Sequence, residues 1–176
     1  MELHPHPTTD PHGLRISAII EREETKITAE FLVEGNLAAM VIPPPLPPAR
    51  RDGLWRHSCF EIFVQRDGDG PSYRELNLSP SGEWAAYRLR EYRAGMYDWL
   101  KSRGTTRIEV RHEAAVLWLL ATIRLVDTSP WQVGLSAVTE FSDGTFGYWE
   151  LAHPPDEPDF HHADCFTLML PPRTRA

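Results

Sequence analysis

Apolar residues recur at every second position through most of this chain, the spacing of half-buried β-strands whose successive side chains point to opposite faces. Residues 14–23 and 26–33 alternate in this way, and the EGN turn at 34–36 leads into another run, 37–42. PPPLPPARRDG (43–53) then supplies no ladder donors at its prolines and suits a stiff strand-to-strand crossover. Three further runs, 55–65, 73–79 and 84–89, are separated by RDGDGPS and SPSG, both of hairpin-turn composition. Later strands are expected at 106–112, 116–126, 132–140, 145–151 and 166–170, with a single helical turn near 96–101. About ten short strands with regular turns predict an all-β fold, an antiparallel β-sandwich. The expected organisation is a flexible N-terminal tail (1–13), one domain (14–170) and a C-terminal tail (171–176).

The central strands carry the chemistry. Strict alternation puts Phe60, Ile62 and Val64 on one face, and Trp55, His57, Cys59, Glu61 and Phe63 on the other. The next run sorts the same way, with Leu76 and Leu78 inward and Tyr73, Glu75, Asn77 and Ser79 opposite. A solvent-facing sheet side is ordinarily rich in Lys, Thr, Glu and Arg. This one mixes aromatic planes, among them Trp84 or Tyr87 from the third run, with carboxylates, an imidazole and a carboxamide. Partly buried carboxylates need donors, and Arg51, Arg74, Arg88 and Arg93 are the neighbouring candidates. The candidate ligand-binding set is therefore Arg51, Trp55, His57, Glu61, Tyr73, Glu75, Asn77, Trp84 and Arg93. Aromatic rings beside Glu, Asn and Arg suit a small polyhydroxylated ligand such as a sugar. A structural polar network under a covering loop is the other reading of the same residues.

Composition narrows the classes. The 176 residues suffice for one well-buried domain, and 16 prolines with 11 glycines favour a turn-rich β chain. The net charge of −7, with 18 Lys and Arg scattered among acidic neighbours, leaves no basic stripe for nucleic acid. No run approaches the roughly 20 apolar residues of a membrane span, and the N-terminus lacks the pattern of a signal peptide, so the expectation is a cytoplasmic protein with no membrane partner. Cys59 and Cys165, far apart and without CxxC spacing, are expected as free, buried thiols.

Other chemistries find weaker support in the residues. HPPDEPDFHHADC brings His153, Asp159, His161, His162, Asp164 and Cys165 together, but without regular zinc-ligand spacing; His153, Asp159 and His161 are expected to pin an ordered loop that packs Phe160 onto the sheet. Asp67 and Asp69 in RDGDG are read as hairpin residues in preference to calcium ligands. Glu61 and Glu75, on neighbouring strands, are the pair for a hydrolytic alternative of glycosidase type. No catalytic residue and no metal site is assigned.

RRDGLWRHSCFEIFV, YRELNLSPSGEWAAYRLREYRAGM and YWELAHPPDEPDFHHADCF together resemble bacterial DOMON-like domain proteins, relatives of the family-nine carbohydrate-binding modules. The specific part is W…SCFEIF followed by YxExNxSPxG, and the resemblance covers most of residues 14–170. It implies an immunoglobulin-like sandwich in a superfamily that binds sugars or haem, with the strands bearing Trp55 and Glu61, and Tyr73, Glu75 and Asn77, facing the ligand. Haem would call for axial ligands such as Met40 or Met96 with His153 or His161. No cofactor is required by the sequence, and a purely structural or interaction domain is the remaining class.

Overall fold

The computed structural model describes residues 1–23, 26–99, 107–124 and 129–171. Among them twelve strands form and no α-helix: β1 (Glu2–Pro5), β2 (Leu14–Arg22), β3 (Lys26–Gly35), β4 (Cys59–Arg66), β5 (Tyr73–Leu78), β6 (Trp84–Leu89), β7 (Tyr97–Asp98), β8 (Arg107–Glu113), β9 (Val116–Arg124), β10 (Trp131–Glu140), β11 (Phe146–Glu150) and β12 (Leu168–Leu170). All pairings are antiparallel, in the order β7-β6-β5-β4-β10-β11-β1-β2-β3-β9-β8, with β12 beside the start of β10. No helix in the described residues is long and apolar enough to cross a membrane.

The sheet curls until its two halves face each other. Phe31 of β3 and Phe60 of β4, distant in strand order, stack with ring centroids 4.9 Å apart. Around them Ile16, Ile27, Val33, Ile62, Leu76, Leu78, Leu119, Leu135 and Trp149 form one continuous buried core. Each such large side chain contributes roughly 1.5–3 kcal/mol by leaving water, which is the force that holds the curl. Strand alternation is what lets the longer strands supply this core from one face only.

Several sequence expectations are corrected. The N-terminal segment is no loose tail: β1 bridges the halves, pairing Leu3 with Ile16 and His4 with Glu150. Leu3 and His6 are buried there, and these two anchors outweigh the loop-like proline and histidine composition around them. Residues 37–42 are not a strand. Leu37–Ala39 forms a 3₁₀ turn, and only Met40 makes a bridge, to Phe141. The run 55–65 starts as a 3₁₀ turn at Leu54–Arg56, entered through Gly53 with φ of 80°, so β4 begins only at Cys59. The helical turn expected near 96–101 is instead the short strand β7 where it is described, with Asp98 opposite Tyr87. Leu100, Lys101, Thr106, residues 125–126 and the C-terminal tail beyond Pro171 lie outside the described residues.

Candidate ligand-binding site

β4, β5 and β6 are buried on both faces. Phe60, Ile62, Leu76 and Leu78 enter the main core, and the opposite parity meets a second cluster of Leu54, Cys59, Phe63, Tyr73, Ala85, Tyr87, Leu89, Val138, Phe160, Cys165 and Phe166. The cover is the irregular segment after β11, residues 151–167. Beneath it lie Glu61, Glu75 and Asn77, at 3%, 4% and 0% exposure. Directly paired residues on antiparallel strands share a face. The register therefore draws one polar row across four strands, from Asn77 to Glu61 to Ser136 to Glu150. Glu150 and Ser136 are 1% and 2% exposed, and sequence reasoning missed both. The alternation in VGLSAV and GYWE, with aliphatic or aromatic core residues on the other parity, carried the signal.

A cavity of about 320 Å³ opens above this row. Glu61 and Glu75 lie at its floor; Trp55, Leu89, Met96, Val138, Tyr148 and Phe160 supply apolar walls; Arg93, Asp159 and His161 bring polar groups to it. Trp55 reaches the cavity from its 3₁₀ turn, held edge-on to Tyr87 at 5.7 Å. On the floor, Asn77 Nδ2 donates to Glu75 Oε1 at 2.7 Å. Glu61 Oε1, Ser136 Oγ and Glu150 Oε2 are buried without a hydrogen-bond partner.

Burial sets the electrostatics. Desolvation, reinforced by Glu75 and Glu150, pushes the Glu61 carboxyl well above the carboxylate range, and desolvation raises Glu75 despite the opposing Asn77 bond. Glu150 is pushed up to about 7, chiefly by burial. Its Oε1 lies 3.0 Å from His153 Nδ1, and His153 Nε2 lies 2.7 Å from the His4 carbonyl oxygen. Burial also lowers the His153 pKa, so both partners favour their neutral forms and the contact is a hydrogen bond more than an ion pair.

The covering segment is pinned by named bonds. His161 Nδ1 lies 2.8 Å from the Tyr73 hydroxyl, which also accepts the Arg93 backbone N–H at 3.1 Å. Burial lowers His161 to about 4, so the ring that meets the Tyr73 hydroxyl is neutral. Asp159 accepts from Tyr92, and its carboxylate sits 3.4 Å from Arg93. His6 Nε2 approaches the Asp156 carbonyl at 3.1 Å, tying the N-terminal segment to the same cover. Cys59 and Cys165 are both free and buried in this second cluster.

Not every expected residue arrives. Trp84 lies opposite Leu78 and packs on the main core, because residues 84, 86 and 88 share parity with 76 and 78; Tyr87, opposite Glu75, is the aromatic on the site face. His57 precedes β4, so its parity does not carry over: it is exposed and bonds Glu140 at 2.8 Å. Arg51 pairs with Glu83 at 2.6 Å and, with His57, lines a separate cleft. Arg74 and Arg88 turn to Asp69, at 3.0 and 3.6 Å, so Asp69 faces guanidinium groups and not a calcium site. Of the four arginines expected as donors for the floor carboxyls, only Arg93 lines the cavity. Met40 lies in the main core, while Met96 and His161 both line the cavity. Among the described residues no group of three or more His, Cys, Asp or Glu side chains is disposed to hold a metal ion.

No family model matches the sequence, and neither does any curated protein. Solved structures do match in fold. A proposed carbohydrate-binding protein from Bacteroides uniformis superposes with a TM-score of 0.63 at 14% identity, over 94% of this chain and 84% of that one. A family 9 carbohydrate-binding module from Caldicellulosiruptor kristjanssonii matches in its cellotriose complex with a TM-score of 0.55 at 10% identity, over 86% of this chain and 71% of that one. In its glucose complex it matches with a TM-score of 0.55 at 9% identity, over 93% and 78%. The chain thus shares an all-β, antiparallel fold with carbohydrate-binding modules.

Proposed function

We propose that this chain is a non-catalytic binding domain, an immunoglobulin-like β-sandwich of DOMON-like type, that takes a carbohydrate or similar polyhydroxylated molecule in the cavity over Glu61 and Glu75. The observation that carries the reading is the pairing of aromatic walls, Trp55 and Tyr148, with buried polar groups on a preformed floor. An apolar sugar face rests on a ring, and hydroxyls donate to carboxyl oxygens that otherwise stay unpartnered. The fold shared with modules solved with cellotriose and glucose supports the same reading. About 320 Å³ is near the small end of ligand cavities, roughly 300–1,000 Å³, and accommodates a sugar ring better than a flat tetrapyrrole. His153, with both nitrogens bonded, and Met40, in the other core, are poorly placed as haem ligands, which leaves Met96 with His161 as the pair that lines the cavity.

Calorimetric titration of a panel of mono- and disaccharides, with Trp55→Ala as control, tests the proposal. Saturable heat that Trp55→Ala weakens at least about tenfold, the loss of ~1.4 kcal/mol, is the expected outcome. Flat heats with every sugar would remove it.

A further inference from the structure

The cavity is lined by more carboxyl groups than basic ones. Glu61, Glu75 and Asp159 line it, against Arg93 and an imidazole that burial keeps neutral. Arg93 is already beside Asp159, at 3.4 Å. Glu75 has Asn77 as a donor, at 2.7 Å, but Glu61, which also lines the cavity, keeps its Oε1 buried without a hydrogen-bond partner. The row continues under the cover to Glu150, whose Oε2 is likewise unpartnered.

A buried carboxyl is stabilised by a hydrogen-bond donor, and far more by a donor that also carries positive charge. A neutral hydroxyl supplies the first alone. An ammonium supplies both, and the rings of Trp55, Tyr148 and Phe160 line the same cavity, where a ring face turned to the ligand also attracts a cation. We propose that the ligand is an amino sugar whose primary ammonium seats on Glu61 and Glu75 while its ring lies against Trp55. This rests on the carbohydrate reading and names the class of sugar. Burial raises the pKa values of both floor carboxyls, Glu61 well above the carboxylate range, so seating an ammonium there favours release of a proton to solvent. No covalent bond between heavy atoms changes.

Glucosamine, glucose, N-acetylglucosamine and methylamine, titrated calorimetrically at about neutral pH in two buffers of different ionisation enthalpy, separate the possibilities. Glucosamine is expected to bind at least about tenfold more tightly than glucose or N-acetylglucosamine, with net proton release that the neutral sugars do not cause. Glu61→Gln is expected to bring the glucosamine-to-glucose ratio close to one. If that variant does not fold, the wild-type buffer dependence decides alone. Equal binding of all three sugars, or glucosamine binding without proton release, overturns this inference while leaving a carbohydrate site intact. Methylamine binding with no sugar binding, or no binding at all, overturns the carbohydrate reading and the amino-sugar assignment together.

Discussion

Replacing Glu150 by glutamine should make the protein more stable at alkaline pH than at acid pH, relative to wild type. Burial raises the Glu150 carboxyl from its ordinary 4.5 to about 7, the Cys165 thiol opposing and Asp159 adding to the shift. Between those two values the folded protein keeps a proton that the unfolded chain has lost. The unfolded state then binds fewer protons, so stability is full below about pH 4.5, falls as pH rises, and levels off above about 7. At ~1.4 kcal/mol per pH unit the total loss is about 3 kcal/mol, as befits a side chain 1% exposed with Oε2 unpartnered. A glutamine side chain cannot titrate. Its fixed cost, from an amide that must be accommodated beside His153 Nδ1, is the same at every pH and cancels when the variant and wild type are compared along a pH series. Urea unfolding from about pH 4.5 to 8 should therefore show the difference moving by about 3 kcal/mol in favour of Glu150→Gln. A difference that stays constant would refute the reasoning. So would one that moves the other way, since it would mean that Glu150 is ionised and paired with a protonated His153.

Three other outcomes follow from the packing. A Cβ on Gly134 would lie 2.9 Å from Phe166 Cδ1 and 3.0 Å from the Cys165 carbonyl oxygen, so Gly134→Ala should cost about 1–3 kcal/mol in urea unfolding and weaken ligand binding through the displaced cover. Tyr73→Phe deletes the hydroxyl that holds both His161 and the Arg93 N–H; hydrogen exchange of the segment around His161 should speed up, with a stability loss of about 1 kcal/mol. Trp84→Ala should cost about 2 kcal/mol, because the partly buried ring packs on the main core, yet leave sugar affinity unchanged in the same calorimetric assay that Trp55→Ala impairs.

The phase of the two central strands was readable because it depends on the local chain alone. Ile62, Leu76 and Leu78 alternate with Glu61, Glu75 and Asn77, and a pleated strand has no other way to sort them. That reading failed wherever the strand itself failed: His57 stands before β4 begins, so its count from Glu61 carried no directional meaning. Trp84 was misplaced for a different reason. Its parity is fixed across the SPSG turn by the pairing with Leu78, and a choice between Trp84 and Tyr87 needed the register, which puts Tyr87 opposite Glu75. Glu150 and Ser136 come together only through pairings of β10 with both β4 and β11, at sequence separations that no local pattern encodes. The arginines illustrate the same limit: nearness in sequence suggested Arg74 and Arg88 as partners for the floor, whereas strand alternation turned them to Asp69 on the other face.

His4 and His6 meet His153 and Asp156 across separations of 149 and 150 residues, so the segment that roofs the cavity is tied to residues far back in the sequence. A nascent chain emerging from the ribosome can build the hairpins of β4, β5 and β6 long before it can roof them. During that interval Phe63, Tyr73 and Leu89 face water as a sticky patch, and such late long-range closures are slow. The roof of the cavity accordingly closes well after its floor has formed.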